Sequence, residues 1–255
     1  MDQHDGFARP QTRLQTRTLR GTCITRTVDL ANPRLIGVWK WNFEEASRRL
    51  YAVCVFAPNV LRDAYPLEEL QHLKDCVAQQ AHKVEKMIDW TRAQLDAAGL
   101  NSGEPGRVEP LSADIRTPLA SAYVDLFLRA DLAIQLLDAL WLQGELTDAG
   151  HAERTGAMRR APLSVLGGIQ RAHAQCRERI EALYHLPRMK KGLLILPVAT
   201  LMLRTAPSSF IDGHSLLVKP GDKLDLHNLR RRLEHAGYNA VEQVLEHGEY
   251  AARGS

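Results

Sequence analysis

The chain is poor in cysteine, with four in 255 residues. Cys23, Cys54, Cys76 and Cys176 are scattered, and no two have the close spacing that zinc sites and redox-active dithiols need. We interpret them as core or surface thiols of a protein in a reducing compartment. The sequence therefore predicts no metal ion and no other cofactor.

An apolar run long enough to cross a membrane is also lacking. The longest run, residues 192–204, is shorter than the roughly 20 residues that a membrane-spanning helix needs, and Pro197 lies in its middle. The polar start of the chain lacks the apolar centre of a secretory signal. These features predict a cytoplasmic protein without a membrane partner.

The sequence signatures of catalysis are missing as well. Neither a GxxxxGK[ST] phosphate loop nor a GxSxG nucleophile motif occurs, and no pattern places two carboxylates together. The formal net charge of +3 is small for this length, so electrostatics permit a nucleic-acid partner without requiring one. We therefore expect a protein that is not an enzyme.

Residues 1–21 are predicted to be a disordered basic arm. Arg13, Arg17 and Arg20 stand among Gln and Thr, with almost nothing apolar to bury. Such an arm can lie along DNA phosphates through unspecific charge contacts, or it can be a solvated tail without a partner. These three arginines are the candidate nucleic-acid contacts.

Residues 22–176 have the pattern of a helical domain. Alternation over residues 22–30 indicates a short strand at its start. A helical apolar pattern then covers residues 39–56, and Pro58 is expected to end that helix.

The second predicted helix covers residues 66–98, and Gly99 is its expected end. Its apolar positions repeat at intervals of three and four, which is typical of one side of a helical bundle. Residues 100–110 concentrate Gly, Pro, Ser and Asn and are therefore predicted to form a loop.

The third predicted helix has the strongest periodicity in the chain. Thr117 is its expected cap, Pro118 its first residue, and Gly144 its approximate end. A four-three alternation of apolar residues predicts a buried seam packed on antiparallel neighbours. The seam consists of Tyr123, Phe127, Ala130, Ile134, Leu137 and Trp141.

A further helix is predicted to begin at Pro162, after a polar helix or turn over residues 147–160, and to extend to Pro187. His173 lies on its apolar side. A hydrogen-bonded core histidine is the favoured interpretation over a metal ligand, because no second ligand stands at a fixed helical offset on that side.

The last part of the chain has a mixed pattern. The apolar run at residues 192–204 indicates a buried strand, and residues 215–224 indicate a short one. Asp225 is a plausible cap for a following helix, and residues 238–246 and the stretch from Tyr250 resemble two strands.

The stretches RIEALYHLP, KKGLLILPVATLMLRTAP, LRRRLEHAGY and VEQVLEHGEYAARGS make residues 179–255 similar to the UvrB-like amino-terminal region of bacterial transcription-repair coupling factor. In that family the Gly-Glu-Tyr stretch begins the domain that docks UvrA. The resemblance implies partner docking at Glu249, Tyr250, Arg253 and Gly254. The family would continue past Ser255, so most of its docking surface and its motor are expected to be missing.

Residues 22–175 resemble the AcaB-like proteins of integrating conjugative elements, through SADIRTPLASAYVDLFLRADLAIQLLDALWLQGELTD at residues 112–148. This resemblance implies a non-enzymatic protein of a mobile element.

Together the patterns predict an α-helical N-terminal unit, an antiparallel bundle, followed by a truncated α/β segment. The expected domains are the arm at residues 1–21, an AcaB-like domain at residues 22–176 and a partial UvrB-like segment at residues 177–255. The functional hypothesis is a regulatory or structural mobile-element protein fused to a piece of coupling factor. The alternative is a DNA-repair adaptor that docks UvrA, with DNA as a further possible partner.

Overall fold

The computed structural model describes residues 22–191, single positions between 193 and 209, and residues 223–235, 238–241, 244 and 249–252. The predicted arm at residues 1–21 lies outside the described residues. The chain divides into two compact units, one at Thr22–Ser215 and one that includes Leu216–Ser255. The helical domain lies in the first of these units.

Two antiparallel strands open the helical unit. β1 (Ile24–Leu30) confirms the predicted strand, and it pairs with β2 (Glu109–Ile115) so that Ile24 stands opposite Ile115. The sequence did not predict β2, because Pro110 and the polar loop before it hide a short alternation of apolar residues. Val28 and Leu30 of β1 and Ala113 and Ile115 of β2 are buried, so one side of the pair faces the core.

The first helix, α1 (Pro33–Tyr51), begins earlier than predicted because the Asn32 side chain accepts hydrogen bonds from the first turn. It continues as a π-helical turn (Ala52–Phe56) into the short helix α2 (Ala57–Leu61). The prediction that Pro58 ends the helix is therefore wrong. Pro58 lies in the first turn of α2, where its missing N–H costs little.

After a 3₁₀ turn (Arg62–Ala64), α3 (Leu67–Ala98) confirms the second predicted helix. Gly99 ends it with a left-handed φ of 64°, a conformation that glycine adopts without steric cost. The inner side of α3 is buried along the predicted repeat, at Leu73, Val77, Val84 and Ile88.

The most apolar helix is α4 (Pro118–Leu142), and it begins as predicted with Thr117 accepting a hydrogen bond from Ala120 N. Most of the predicted seam is buried. Trp141 is the exception, with 40% of its surface exposed, so its assignment to the core is wrong. Its indole N–H instead donates to Asp148 Oδ1 (2.7 Å) at the end of the helix.

The last helix of this unit, α5 (Asp148–His185), passes through Pro162 without a break, and a 3₁₀ turn (Leu186–Arg188) follows it. The prediction of a new helix at Pro162 is therefore wrong. Thr147 caps α5 much earlier, and Pro162 is buried, with its carbonyl oxygen accepting a hydrogen bond from the Tyr123 hydroxyl (3.1 Å). Packing on α4 thus offsets the backbone bond that the proline removes.

Helix α5 runs antiparallel to both α4 and α3. Tyr123 of α4 meets Pro162, whereas Asp138 near the other end of α4 meets His151. On α3, Cys76 Sγ contacts the carbonyl oxygen of Ser164, and Trp90 lies under Arg154. Because α3 and α4 are both antiparallel to α5, they are parallel to each other.

Helix α1 completes the bundle and runs antiparallel to α4. Trp39 packs on Phe127, and Phe43, one turn later, packs on Tyr123, one turn earlier. The predicted antiparallel packing of α4 therefore holds for α1 and α5 and is wrong for α3. The reason is the long connection over residues 99–117, in which β2 carries the chain back before α4 begins.

A buried carboxylate of α4 binds the turn that connects β1 to α1. Asp131 is 2% exposed, and its oxygens accept hydrogen bonds from Ala31 N (2.9 Å) and Asn32 N (2.8 Å). The amide of Gln135 donates a third bond at 2.7 Å. These bonds compensate for the loss of hydration on burial.

The apolar run at residues 192–204 does not form the buried strand that its composition predicts, at the positions that are described. Leu193, Ile195, Val198 and Met202 are between 78% and 85% exposed. The backbone of Arg204 exchanges hydrogen bonds with Asp63, at 3.3 Å each. The rest of this run lies outside the described residues, as does most of the strand predicted at residues 215–224.

In the second unit, α6 (Leu226–His235) confirms the predicted helix, and Asp225 Oδ1 caps it by accepting from His227 N (3.0 Å) and Asn228 N (3.2 Å). β3 (Asn239–Ala240) and β4 (Glu249–Tyr250) form a parallel pair of two residues each. In the part of the chain that the structure describes, every helix is too short or too polar to cross a membrane.

Candidate binding surfaces

The structure brings together only part of the predicted site. Arg13, Arg17 and Arg20 lie outside the described residues, and so do Arg253 and Gly254. Glu249 and Tyr250 form β4, described above. The docking hypothesis can therefore be placed on the structure only at Tyr250 and its surroundings.

Tyr250 borders a cleft of about 570 Å³ in the second unit. Its hydroxyl donates a hydrogen bond to Glu234 Oε1 (2.8 Å), and this bond raises the pKa of the phenol. His227, Arg230 and Arg231 of α6 line the same cleft. The cleft thus combines an aromatic ring with basic side chains. The glutamate that lines it, Glu234, already accepts the hydrogen bond from Tyr250.

A second candidate surface lies on α1. Trp41 is 86% exposed, whereas Trp39 and Phe43 on either side of it are buried and stack on each other at 3.9 Å between ring centroids. Two positions along a helix correspond to a turn of about 200°, so Trp41 lies on the side opposite the core. The buried stripe through Phe43 could have revealed this, since Trp41 does not belong to it.

Arg34 and Gly37 share that outer side of α1 with Trp41, because intervals of three and four residues return to the same side of a helix. Arg34 stands about 10 Å from Trp41 along the helix axis. A Cβ atom placed on Gly37 would meet nothing within 4 Å, so the space beside the indole is open. The glycine is therefore not required by close packing.

Two arginines of α5, Arg159 and Arg160, extend the positive charge beside Arg34. Partial burial lowers the pKa of Arg159 first, and the neighbouring charges of Arg34 and Arg160 lower it further, while Asp138 acts in the opposite direction. Asp138 itself contacts His151 Nε2 at 2.6 Å. The charges of Arg34 and Arg160 are thus each close enough to Arg159 to repel its guanidinium group.

A polar cluster at the turn between α4 and α5 stabilises the packing of these two helices. His151 holds Asp138 on one side and stacks on Trp141 on the other, with 4.9 Å between ring centroids. Asp138 also lines a cavity of about 320 Å³, together with Asn32 and the loop at residues 102–107. The cluster ties the two helices together at their turn.

Burial raises the pKa of several nucleophilic side chains of the bundle. Burial raises the pKa of Cys54, and it raises the pKa of Cys176 to about 11. Burial also raises the pKa of Tyr65 and Tyr123, and their hydroxyls donate to the backbone carbonyls of Val53 and Pro162. These groups stabilise the fold and are poorly suited to attack a substrate at neutral pH.

His173 is half-buried on α5. Burial is the main cause that lowers its pKa, and Arg49 and Arg177 lower it further. Among the residues that the structure describes, no group of three or more His, Cys, Asp or Glu side chains is placed to hold a metal ion.

No family model matches the chain. Over 77 residues, which are 30% of the chain, it is 53% identical to the transcription-repair-coupling factors of Haemophilus influenzae and Escherichia coli K12. The match spans 7% of each of these much longer relatives. The fold is similar to the crystal structure of AcaB from uropathogenic Escherichia coli, with a TM-score of 0.53 and 16% sequence identity, over 66% of this chain and 87% of that one. Both resemblances found in the sequence are thereby confirmed: the chain shares a segment with transcription-repair coupling factor and has an AcaB-like fold.

Proposed function

We propose that the chain is a non-enzymatic binding protein of an integrating conjugative element, with a regulatory or structural role. The AcaB-like fold of its larger part supports this proposal. The observation that carries it is that the thiol of Cys176 and the hydroxyl of Tyr123 are buried inside the bundle, away from any substrate. The exposed side of α1, in contrast, offers a large aromatic side chain to a partner.

The experiment is a gene deletion with complementation in cells that carry the element. Deletion should change the transfer frequency of the element, and the wild-type gene should restore it. Alleles with Cys176→Ala or His151→Gln, expressed at the wild-type level, should restore it equally, because neither side chain acts chemically. Failure of both alleles to complement, despite normal stability, would favour an enzyme instead.

The second candidate is a DNA-repair adaptor that docks UvrA. Its support is the 53% identity to transcription-repair-coupling factor over 77 residues. The stretch at residues 179–255, which carries the motifs that resemble this family, has the same length. Tyr250 borders the basic cleft there. Binding of the full chain to purified UvrA, weakened by Tyr250→Ala, would favour this role, and no binding would leave the first proposal in place.

A further inference from the structure

The outer side of α1 and its neighbours on α5 form what we call the Trp41 surface, defined by Arg34, Gly37, Trp41, Arg159 and Arg160. Its central feature is an indole that the fold leaves uncovered, at 86% exposure. The helix that carries it is anchored on its other side, where Trp39 packs edge-on against Phe127 at 5.0 Å. The indole is thus presented from a rigid element.

The carboxylates of α1 nearest to Trp41 are already neutralised. Glu45 Oε1 pairs with Arg49 Nε at 3.0 Å, and Glu44 pairs with Arg48. Lys40 pairs with Glu109 Oε1 of the neighbouring strand β2 at 2.5 Å. These pairs leave little negative charge to repel an anion from the exposed indole.

The arginines of the surface stand apart from these ion pairs. Among the described residues, the salt bridges do not include Arg34, Arg159 or Arg160. Asp138, the carboxylate that faces Arg159, also contacts His151. The surface therefore has an excess of positive charge at one end, about 10 Å along the helix from the aromatic ring.

The surroundings of Trp41 distinguish between two kinds of partner. Tryptophan and arginine are common energetic centres of protein interfaces, but such centres lie within apolar, well-packed patches. Here the indole has Lys40, Glu44 and Glu45 near it, and the neighbouring Val38 is partly buried against the core, so little other apolar surface is exposed around Trp41. An exposed ring next to arginines fits a partner that offers flat aromatic faces and phosphates together.

We propose that the Trp41 surface binds single-stranded nucleic acid, with a base stacked on the indole above Gly37 and the adjoining phosphates held by Arg34, Arg159 and Arg160. Base stacking on aromatic side chains and phosphate contacts to basic ones are the two components of such binding. A duplex hides its base faces within the helical stack, so single strands should be preferred. This inference goes beyond the proposed function and does not depend on it.

The test measures the fluorescence anisotropy of a labelled thymidine oligonucleotide of about 16 nucleotides, titrated with the full chain at low salt. The same duplexed strand serves as the comparison. Single-strand binding should weaken about tenfold in Trp41→Ala and less in Trp41→Phe, which keeps an aromatic face. The double variant Arg34→Ala/Arg159→Ala should also bind more weakly and show a smaller dependence on salt.

Two further variants make the test specific. Gly37→Leu adds a side chain where there is open space, so it should block binding while the folded chain melts normally. Arg92→Ala removes an exposed arginine of α3, outside the surface, and should bind like the wild type. Circular dichroism melts of every variant establish that the fold is retained.

Three outcomes would overturn the inference. One is the absence of single-strand binding by the wild-type chain at low salt. Another is binding that Trp41→Ala and Gly37→Leu leave unchanged, and the third is an equal affinity for duplex. A triple substitution of Arg13, Arg17 and Arg20 to alanine separates the arm from the surface, since binding through the arm alone would respond to that variant and not to Trp41→Ala.

Discussion

Helix α4 and the apolar run at residues 192–204 are both rich in apolar residues, yet α4 is largely buried and the described part of the run is exposed. Thirteen residues of α4 are buried. The four large apolar residues of the run that are described, Leu193, Ile195, Val198 and Met202, are exposed. Apolar composition alone therefore does not place a segment in the core of this protein.

The difference lies in what each segment packs against. α4 has α1, α3 and α5 around it, and its apolar residues recur at helical spacing toward all three. At the described positions of the run, the hydrogen bonds are polar contacts between the backbone of Arg204 and Asp63. An apolar segment is buried when neighbouring elements pack against its apolar side. Helix α4 has such neighbours on most of its sides, namely α1, α3 and α5.

Truncating the centre of α4 should have the largest effect. Phe127 is fully buried and lies 5.0 Å from Trp39 and 5.1 Å from Tyr123, measured between ring centroids. Phe127→Ala should lower the free energy of unfolding by about 3 to 5 kcal/mol, because the neighbouring rings cannot close the cavity. Urea denaturation measures this loss, and Trp141→Ala, at the exposed end of the helix, should lose clearly less.

Removing the buried carboxylate of α4 should be the next largest change. Asp131→Ala leaves the N–H groups of Ala31 and Asn32 without their acceptor, at a cost of about 1 to 3 kcal/mol. The matched control is Asp125→Ala, which removes an exposed carboxylate paired with Arg26 at 2.7 Å and should cost about 0 to 1 kcal/mol. Equal losses in the two variants would refute the role assigned to Asp131.

A smaller effect is expected at the start of α4. Thr117→Ala removes the hydroxyl that accepts from Ala120 N at 3.1 Å, so the free energy of unfolding should fall by about 1 kcal/mol. Thr117→Ser keeps the hydroxyl and should retain most of the stability. Thermal melts followed by circular dichroism measure both, and an unchanged Thr117→Ala variant would contradict the cap.

The smallest effect is expected in the exposed run. Leu193→Ser should change the free energy of unfolding by no more than about 0.5 kcal/mol, because the leucine is largely in contact with water already. A loss comparable to that of Phe127→Ala would mean that the run packs into the core after all.

The helices with clear end signals could be predicted from the sequence. Gly99 ends α3, and Thr117 with Pro118 begins α4, as local capping chemistry dictates. Two prolines gave wrong predictions, since Pro58 lies in a first turn and Pro162 lies inside a helix held by its neighbours. Tertiary packing on α4 keeps α5 helical through Pro162, and the local sequence pattern does not reveal such packing.

Strand β2 could not be predicted for a different reason. Pro110 and the polar loop before it hide its alternation, and its partner β1 lies far earlier in the chain, so the pairing of Ile24 with Ile115 depends on the fold of everything between them. Trp41 received no assignment from the sequence, although its position outside the apolar stripe through Phe43 predicts that it faces solvent. The arginines of that surface come from α1 and α5, and only the assembled bundle brings Arg34 beside Arg159.

Hydroxyl-radical footprinting with mass spectrometry tests the central contrast most directly, because it reports the exposure of individual side chains. The chain offers two matched pairs: Met158 is buried and Met202 exposed, and Trp39 is buried and Trp41 exposed. The account predicts fast oxidation of Met202 and Trp41, and protection of Met158 and Trp39 in the folded protein. Protection of Met202 and Trp41 equal to that of their buried counterparts would contradict both the exposed apolar run and the proposed binding surface.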